Sequence, residues 1–282
     1  MTVSRSTPEG EIIPPVGSAV PTPDYHPTEY SSSEYAPLPP RRSRRSELFA
    51  APATYILVGI NVVVFLWMVV NGVSFQSPTS ANLIHFGANS TSRVLVNGEW
   101  YRLLTAIFVH VGWIHLATNM WCLWNLGMLG EPLLGPFGLA AIYVLTGVAG
   151  NLLSMAVNVF SGNDSVGAGA SGAVFGIAGI LIVLLSNRKL PIPWEELRRL
   201  RRSVIQFAVL NLVIGGATIF VDLIRIDNFA HIGGFVSGLA LGPPLVPKMT
   251  SGRERYLGRQ KIVFALAALV LSLFGYLIAG FR

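Results

Sequence analysis

Polar and apolar residues segregate along this chain in blocks tens of residues long. From residue 50 onward seven apolar runs stand out, at about 51–73, 104–127, 136–158, 167–187, 203–221, 229–247 and 262–281, and none contains Asp, Glu, Lys or Arg. Each is close to the ~20 residues a helix needs to cross a ~30 Å hydrocarbon core. Helices are the expected spanning form, because a backbone in lipid must satisfy its own hydrogen bonds. The ten-residue alternating segments of a transmembrane β-barrel are absent. The pattern predicts an all-α polytopic membrane protein.

Residues 1–49 break from this pattern. They are rich in Pro, Ser, Thr, Glu and Tyr and hold 11 of the 34 charged residues. Such a segment buries too little apolar surface to offset its ordering entropy, so a disordered tail is expected. The first apolar run starts near Ala50, too late for an ordinary signal-peptide core, and no small-residue cleavage site follows it. It reads as a retained membrane anchor. The expected organisation is a tail over 1–49, a six-helix core over 50–247, and a basic loop with a seventh span over 248–282.

Composition narrows the classes. Of 282 residues, 52% are hydrophobic and 12% charged, with mean hydropathy +0.56. Soluble domains carry about 25% charged residues, so an ordinary soluble enzyme and a coiled coil fit poorly. Cys122 is the only cysteine, which leaves no intramolecular disulfide and no cysteine-based zinc site. The net charge of +6 has a topological explanation. With a cytoplasmic N-terminus, the inner segments 1–50, 128–135, 188–202 and 248–261 carry sixteen Lys and Arg, against four outside, at Arg93, Arg102, Arg225 and Arg282. That is a strong positive-inside bias. No basic patch is left over for nucleic acid, and the cluster Arg198, Arg199, Arg201 and Arg202 suits anionic lipid.

Strongly polar residues inside spans are costly and point to function. Span two holds His110, His115 and Asn119; His115 and Asn119, four apart, share a helix face. Span four opens with Gly169-Ala170-Ser171-Gly172, and span six with Ala230-His231-Ile232-Gly233-Gly234, continuing to Gly238. In the topology above these three spans all run from outside to inside, so Ser171, His115 and His231 reach similar depth. Gly172, Gly176 and Gly179 on span four, and Gly234 and Gly238 below His231 on span six, form small-residue stripes that let helices approach closely.

This set suits nucleophilic catalysis. A serine hydroxyl attacks only when a base takes its proton, and His231 is the candidate base for Ser171. The negative intermediate needs preorganised donors, which Asn119, His115 and the Ser171 amide supply. Asp222 and Asp227 belong to the preceding outer loop, so a Ser–His dyad is expected rather than a triad. Phe175, one turn after Ser171, is placed to stack on His231. A metal site on His110, His115 and His231 lacks a carboxylate at depth and the His-Glu-x-x-His spacing. A transporter or channel is the main non-enzyme class.

The constellation resembles the rhomboid intramembrane serine proteases. Gly169-Ala170-Ser171-Gly172 matches the family's G-x-S-G, His115-x-x-x-Asn119 its H-x-x-x-N, and Ala230-His231 with Gly234 and Gly238 its A-H-x-x-G-x-x-x-G. Further matches are Phe86-Gly87-Ala88-Asn89, Gly98-Glu99-Trp100-Tyr101-Arg102, and Gly127 through Glu131 to Gly135. The resemblance covers about 50–247. It implies a rhomboid-like six-helix bundle plus one C-terminal transmembrane helix, with a water-accessible cavity facing outward. Ser171 would be nucleophile, His231 general base, and His115 and Asn119 oxyanion donors. His110, Gly169, Gly172, Phe175, Gly234 and Gly238 would support them. It also implies a segment 74–103 lying partly in the outer leaflet, membrane-protein substrates, residence in the cell membrane and no metal or cofactor. Arg102 matches the family's loop arginine and Glu131 its partner, although the topology puts them at opposite ends. A non-catalytic rhomboid-like protein that only binds membrane helices is the nearer rival; such proteins lose the Ser or the His, and this chain keeps both.

Overall fold

The computed structural model describes residues 51–188, 190–217, 227–247 and 252–281. The tail 1–49, the end of the fifth predicted span at 218–221, and Asp222 lie outside the described residues. Within them the helices are α1 (Pro52–Val70), α2 (Ser80–His85), α3 (Thr91–Leu95), α4 (Arg102–Thr105), α5 (Trp113–Ser161), α6 (Ser171–Leu184), α7 (Trp194–Ala217), α8 (Asn228–Leu245) and α9 (Arg253–Gly280). One isolated β-bridge joins Asn89 and Gly167. This is an all-α polytopic membrane fold, in which α1, α5 and α9 are each long and apolar enough to cross a bilayer.

Helix α5 contains two predicted spans. Gly135, at φ 75° and ψ 164°, breaks it between Pro132 and Pro136. Only glycine takes that backbone without strain, and Pro136, lacking an N–H, suits the first turn of the arm that follows. The chain reverses there. Late residues of the second arm return to the end where the first arm began: Asn151 Nδ2 donates to the Leu103 carbonyl (2.9 Å) and Asn158 Nδ2 to Thr91 Oγ1 (3.2 Å).

At the kink end, buried Glu131 closes the N-terminus of α1. Its carboxylate accepts from the Ala53 and Thr54 amides and from Thr54 Oγ1, each at 2.8 Å. The first amides of a helix have no partner within it, and its positive end favours an anion. Glu131 thus spends its charge on α1. Arg102, at the other end, pairs with Glu99.

Helix α6 is the centre of the bundle, buried at every position from Gly172 to Leu181. An all-apolar helix belongs in such a place. The two glycine stripes meet here. A Cβ on Gly234 would run into the Gly172 carbonyl, and one on Gly238 into that of Gly176. Pairings that rise together make α6 and α8 parallel neighbours at near-backbone contact. Outward faces of α1 and α9 expose Ile56, Val63, Leu66, Leu269, Val270 and Leu273, as lipid-facing surfaces do.

Three sequence expectations need correction. The second span, expected from residue 104, keeps only the end of the short α4 there and becomes continuously helical at Trp113, because Gly112 adopts φ 106° against the Gln76 carbonyl. His110 therefore precedes the helix that carries His115. The fourth span is helical only from Ser171, since 167–169 form an extended stretch bonded to Asn89 and Ala106. The helices of the fifth and seventh predicted spans, α7 and α9, begin earlier than expected, at Trp194 and Arg253, so much of the basic loops is helix. Arg and Lys are good helix formers.

Candidate active site

Ser171 is the first residue of α6, half-buried, and its N-cap residue Ala170 makes no side-chain capping bond. The Ser171, Gly172 and Ala173 amides therefore lie at the positive end of the helix with no partner inside it. Phe175 follows one turn later on the same face. Its ring stacks on His231 with centroids 4.5 Å apart and planes 18° from parallel. The His231 ring thus lies against the face of α6 that carries Ser171. His231 is buried, and its Nδ1 has no hydrogen-bond partner among the described residues. Among the described residues no carboxylate meets that nitrogen.

The approach to Ser171 is held from below by two histidines. A Cβ on Gly169, where φ is 136°, would strike the His115 ring, so the backbone ahead of Ser171 crosses that ring in van der Waals contact. His115 Nδ1 accepts from the Val111 amide at 3.4 Å. A neutral ring then carries its hydrogen on Nε2, the nitrogen beside Gly169. Asn119, on the next turn, donates one amide hydrogen to the His115 carbonyl at 2.9 Å and keeps a second. His110 is fully buried. Its Nδ1 lies 3.1 Å from the Phe108 carbonyl, and its Nε2 accepts from the Ala170 amide at 3.5 Å. This pattern assigns its proton to Nδ1. His110 and His115 lie 5.4 Å apart, centroid to centroid.

A wider frame fixes this geometry. The Gly169 amide donates to the Ala106 carbonyl (2.9 Å), and Asn89 and Gly167 exchange two backbone bonds. Arg102 donates to the Ile84 and Ala88 carbonyls at 2.6 and 3.1 Å and to Glu99. The Arg102 hydrogen bond holds the Glu99 carboxyl below the usual carboxylate range.

A rhomboid domain model matches residues 97–248. The chain is 31% identical over 222 residues to rhomboid protease AarA of Providencia stuartii, a match covering 72% of this chain and 76% of that protein. The chain belongs to the rhomboid family. It is also 38% identical over 196 residues to rhomboid protease GluP of Bacillus subtilis, and 36% over 151 to RHOMBOID-like protein 5 of Arabidopsis thaliana, covering 68% and 53% of this chain. The chain spans only 35% and 45% of those two proteins.

In this rhomboid the structure brings Phe175, His231, His115 and His110 around the start of α6, with Asn119 one turn beyond His115 and Gly172, Gly234 and Gly238 at the α6–α8 contact. The sequence pattern marks Asp227 only as part of an outer loop. It is the N-cap of α8, accepting from the Ala230 amide at 3.0 Å, and its other oxygen accepts from Ser154 Oγ. The helix bearing His231 is thereby pinned to the second arm of α5. An Asp shortly before an apolar run is a helix-start signal, but nothing in the pattern singles out its partner 73 residues away.

Proposed function

We propose that the chain is an intramembrane serine endopeptidase that cuts transmembrane-helix substrates near the outer side of the membrane. The observation that carries this reading is the Phe175–His231 stack, because it sets the imidazole against the helix face that begins with Ser171. In the proposed reaction His231 takes the Ser171 hydroxyl proton while the oxygen attacks the scissile carbonyl. The tetrahedral oxyanion is met by the Ser171 amide, His115 Nε2–H and the free Asn119 hydrogen, donors fixed before the charge develops. His231 then gives its proton to the leaving amine, and an acyl group remains on Ser171. Water, deprotonated by the same imidazole, releases it. Only neutral imidazole takes a proton, so the rate rises with pH as His231 deprotonates.

A dyad suffices in this reading. The Phe175 ring on one side and the close α8 contact on the other supply the orientation that a third acidic residue provides elsewhere. Access of a substrate helix requires its backbone to leave its own hydrogen bonds, so segments with Gly or Pro near a small residue are the favoured class. The sixteen-to-four basic bias supports a multi-pass cell-membrane protein with a cytoplasmic N-terminus. The chemistry calls for no metal or cofactor, and the partners are membrane-protein substrates and the bilayer, not nucleic acid. The test is incubation of the purified protein with a helical membrane reporter, wild type beside Ser171→Ala. Cleavage by the wild type alone supports the reading, and a reporter left intact by both points to a non-catalytic helix-binding protein.

A further inference from the structure

Helix α9, the seventh predicted span, does more than add an apolar segment. It runs parallel to the second arm of α5, with Phe264 meeting Phe137 (5.8 Å between centroids) at one end and Phe281 meeting Phe160 (5.6 Å) at the other. Its first turns are polar, and they turn inward. Gln260 Nε2 donates to the Leu134 carbonyl at 2.7 Å. The Tyr256 hydroxyl lies 3.0 Å from the Leu245 carbonyl and 3.4 Å from that of Leu133. Arg259 Nη2 donates to the Val246 carbonyl at 2.7 Å.

These acceptors share one property. Leu245 and Val246 end α8, where a helix leaves its last carbonyls unpaired. Leu133 and Leu134 end the first arm of α5 at the Gly135 break, where the same holds. Lipid donates no hydrogen bonds, so such carbonyls are costly at membrane depth. Gln260 is fully buried, an expensive position for an amide. Gly138 makes room for it: a Cβ there would lie 2.6 Å from Gln260 Nε2. A plain anchor needs neither the glutamine nor the space.

We propose that Tyr256, Arg259 and Gln260 are positioning residues for the site. They tie the end of α8, which carries His231, to the end of the first α5 arm, which carries His115 and Asn119. One short stretch of α9 thereby sets the register of base against oxyanion donors from the opposite side of the bundle. The catalytic consequence rests on the protease reading above; the structural link does not.

The test uses the full-length purified chain with Gln260→Met, which keeps length and loses the donor, and Tyr256→Phe, which loses only the hydroxyl. Amide hydrogen exchange and the kcat and KM for a helical membrane reporter are measured on each. The expected result for Gln260→Met is exchange about tenfold faster in 239–247 and 133–138, with 84–106 unchanged. Its kcat falls about tenfold at unaltered KM, the effect of one hydrogen bond's worth of misplacement. Tyr256→Phe gives the same pattern at smaller amplitude. Exchange that stays at the wild-type rate, or rises evenly along the chain, overturns the proposal, as does localised exchange with kcat unchanged in an active enzyme. If the wild type cleaves nothing, the protease reading fails. The exchange pattern then decides the structural link alone.

Discussion

Phe175 stacks on His231, and its ring also lies 6.1 Å from that of Phe207 in α7. The imidazole therefore packs on an aromatic ring one turn after Ser171, and its Nδ1 meets no carboxylate among the described residues. Phe175 carries no hydroxyl, so what it offers the imidazole is its ring face.

It follows that Phe175→Leu, which keeps apolar bulk and removes the stack, lowers kcat by about tenfold, the worth of an aromatic pair. Phe175→Tyr stays near wild type. Reporter kinetics on the three proteins check this. Full activity in Phe175→Leu would separate the stack from catalysis.

The α6–α8 contact predicts an asymmetry between glycines. Gly234→Ala drives a methyl into the Gly172 carbonyl, and overpacking of this kind costs roughly 1–3 kcal/mol. Gly258→Ala, in an exposed turn of α9 with nothing within 4 Å, gains up to about 1 kcal/mol from helix propensity. Thermal unfolding in detergent should lower the melting temperature of the first variant and leave that of the second equal or higher. Equal melting of the two would contradict the packing.

Removing an oxyanion donor should slow chemistry without unfolding the protein. Asn119→Ala is expected to reduce kcat on the order of 10²–10³ if its free hydrogen reaches the oxyanion. His115→Ala should do at least as much, because its ring also underlies Gly169. Unchanged turnover in both would remove them from the mechanism.

The orientation is checked by labelling. A cysteine introduced as Pro193→Cys in a Cys122→Ser background should react with an impermeant maleimide only after the cells are opened. Labelling from outside intact cells would invert the topology and turn the proposed site toward the cytoplasm.

Much of this was legible along the chain, for physical reasons. Hydrocarbon excludes charge, so span positions show as uncharged runs, and glycines three and four apart mark where α6 and α8 touch. Phe175 was readable because i and i+4 share a helix face. Pairings across the fold were not. Glu131 reaches α1 from 77 residues away, Asp227 takes Ser154 from 73, and Gln260 takes Leu134 from 126. Such bonds leave no periodicity. Nor does the pattern say where a helix starts within an apolar run: Gly112 alone moved His110 off the helix of His115 and placed it under the Ala170 amide.

The most direct measurement of the central claim is covalent labelling with a fluorophosphonate, with the adduct mapped by mass spectrometry. The account predicts one modified residue, Ser171. No adduct should form on Ser171→Ala, and labelling should be nearly abolished in His231→Ala, where the hydroxyl remains but its base is gone. Nucleophile and base act as one unit, so the double variant should cleave a reporter no worse than either single one. An adduct elsewhere, wild-type labelling in His231→Ala, or reporter cleavage by Ser171→Ala would contradict it.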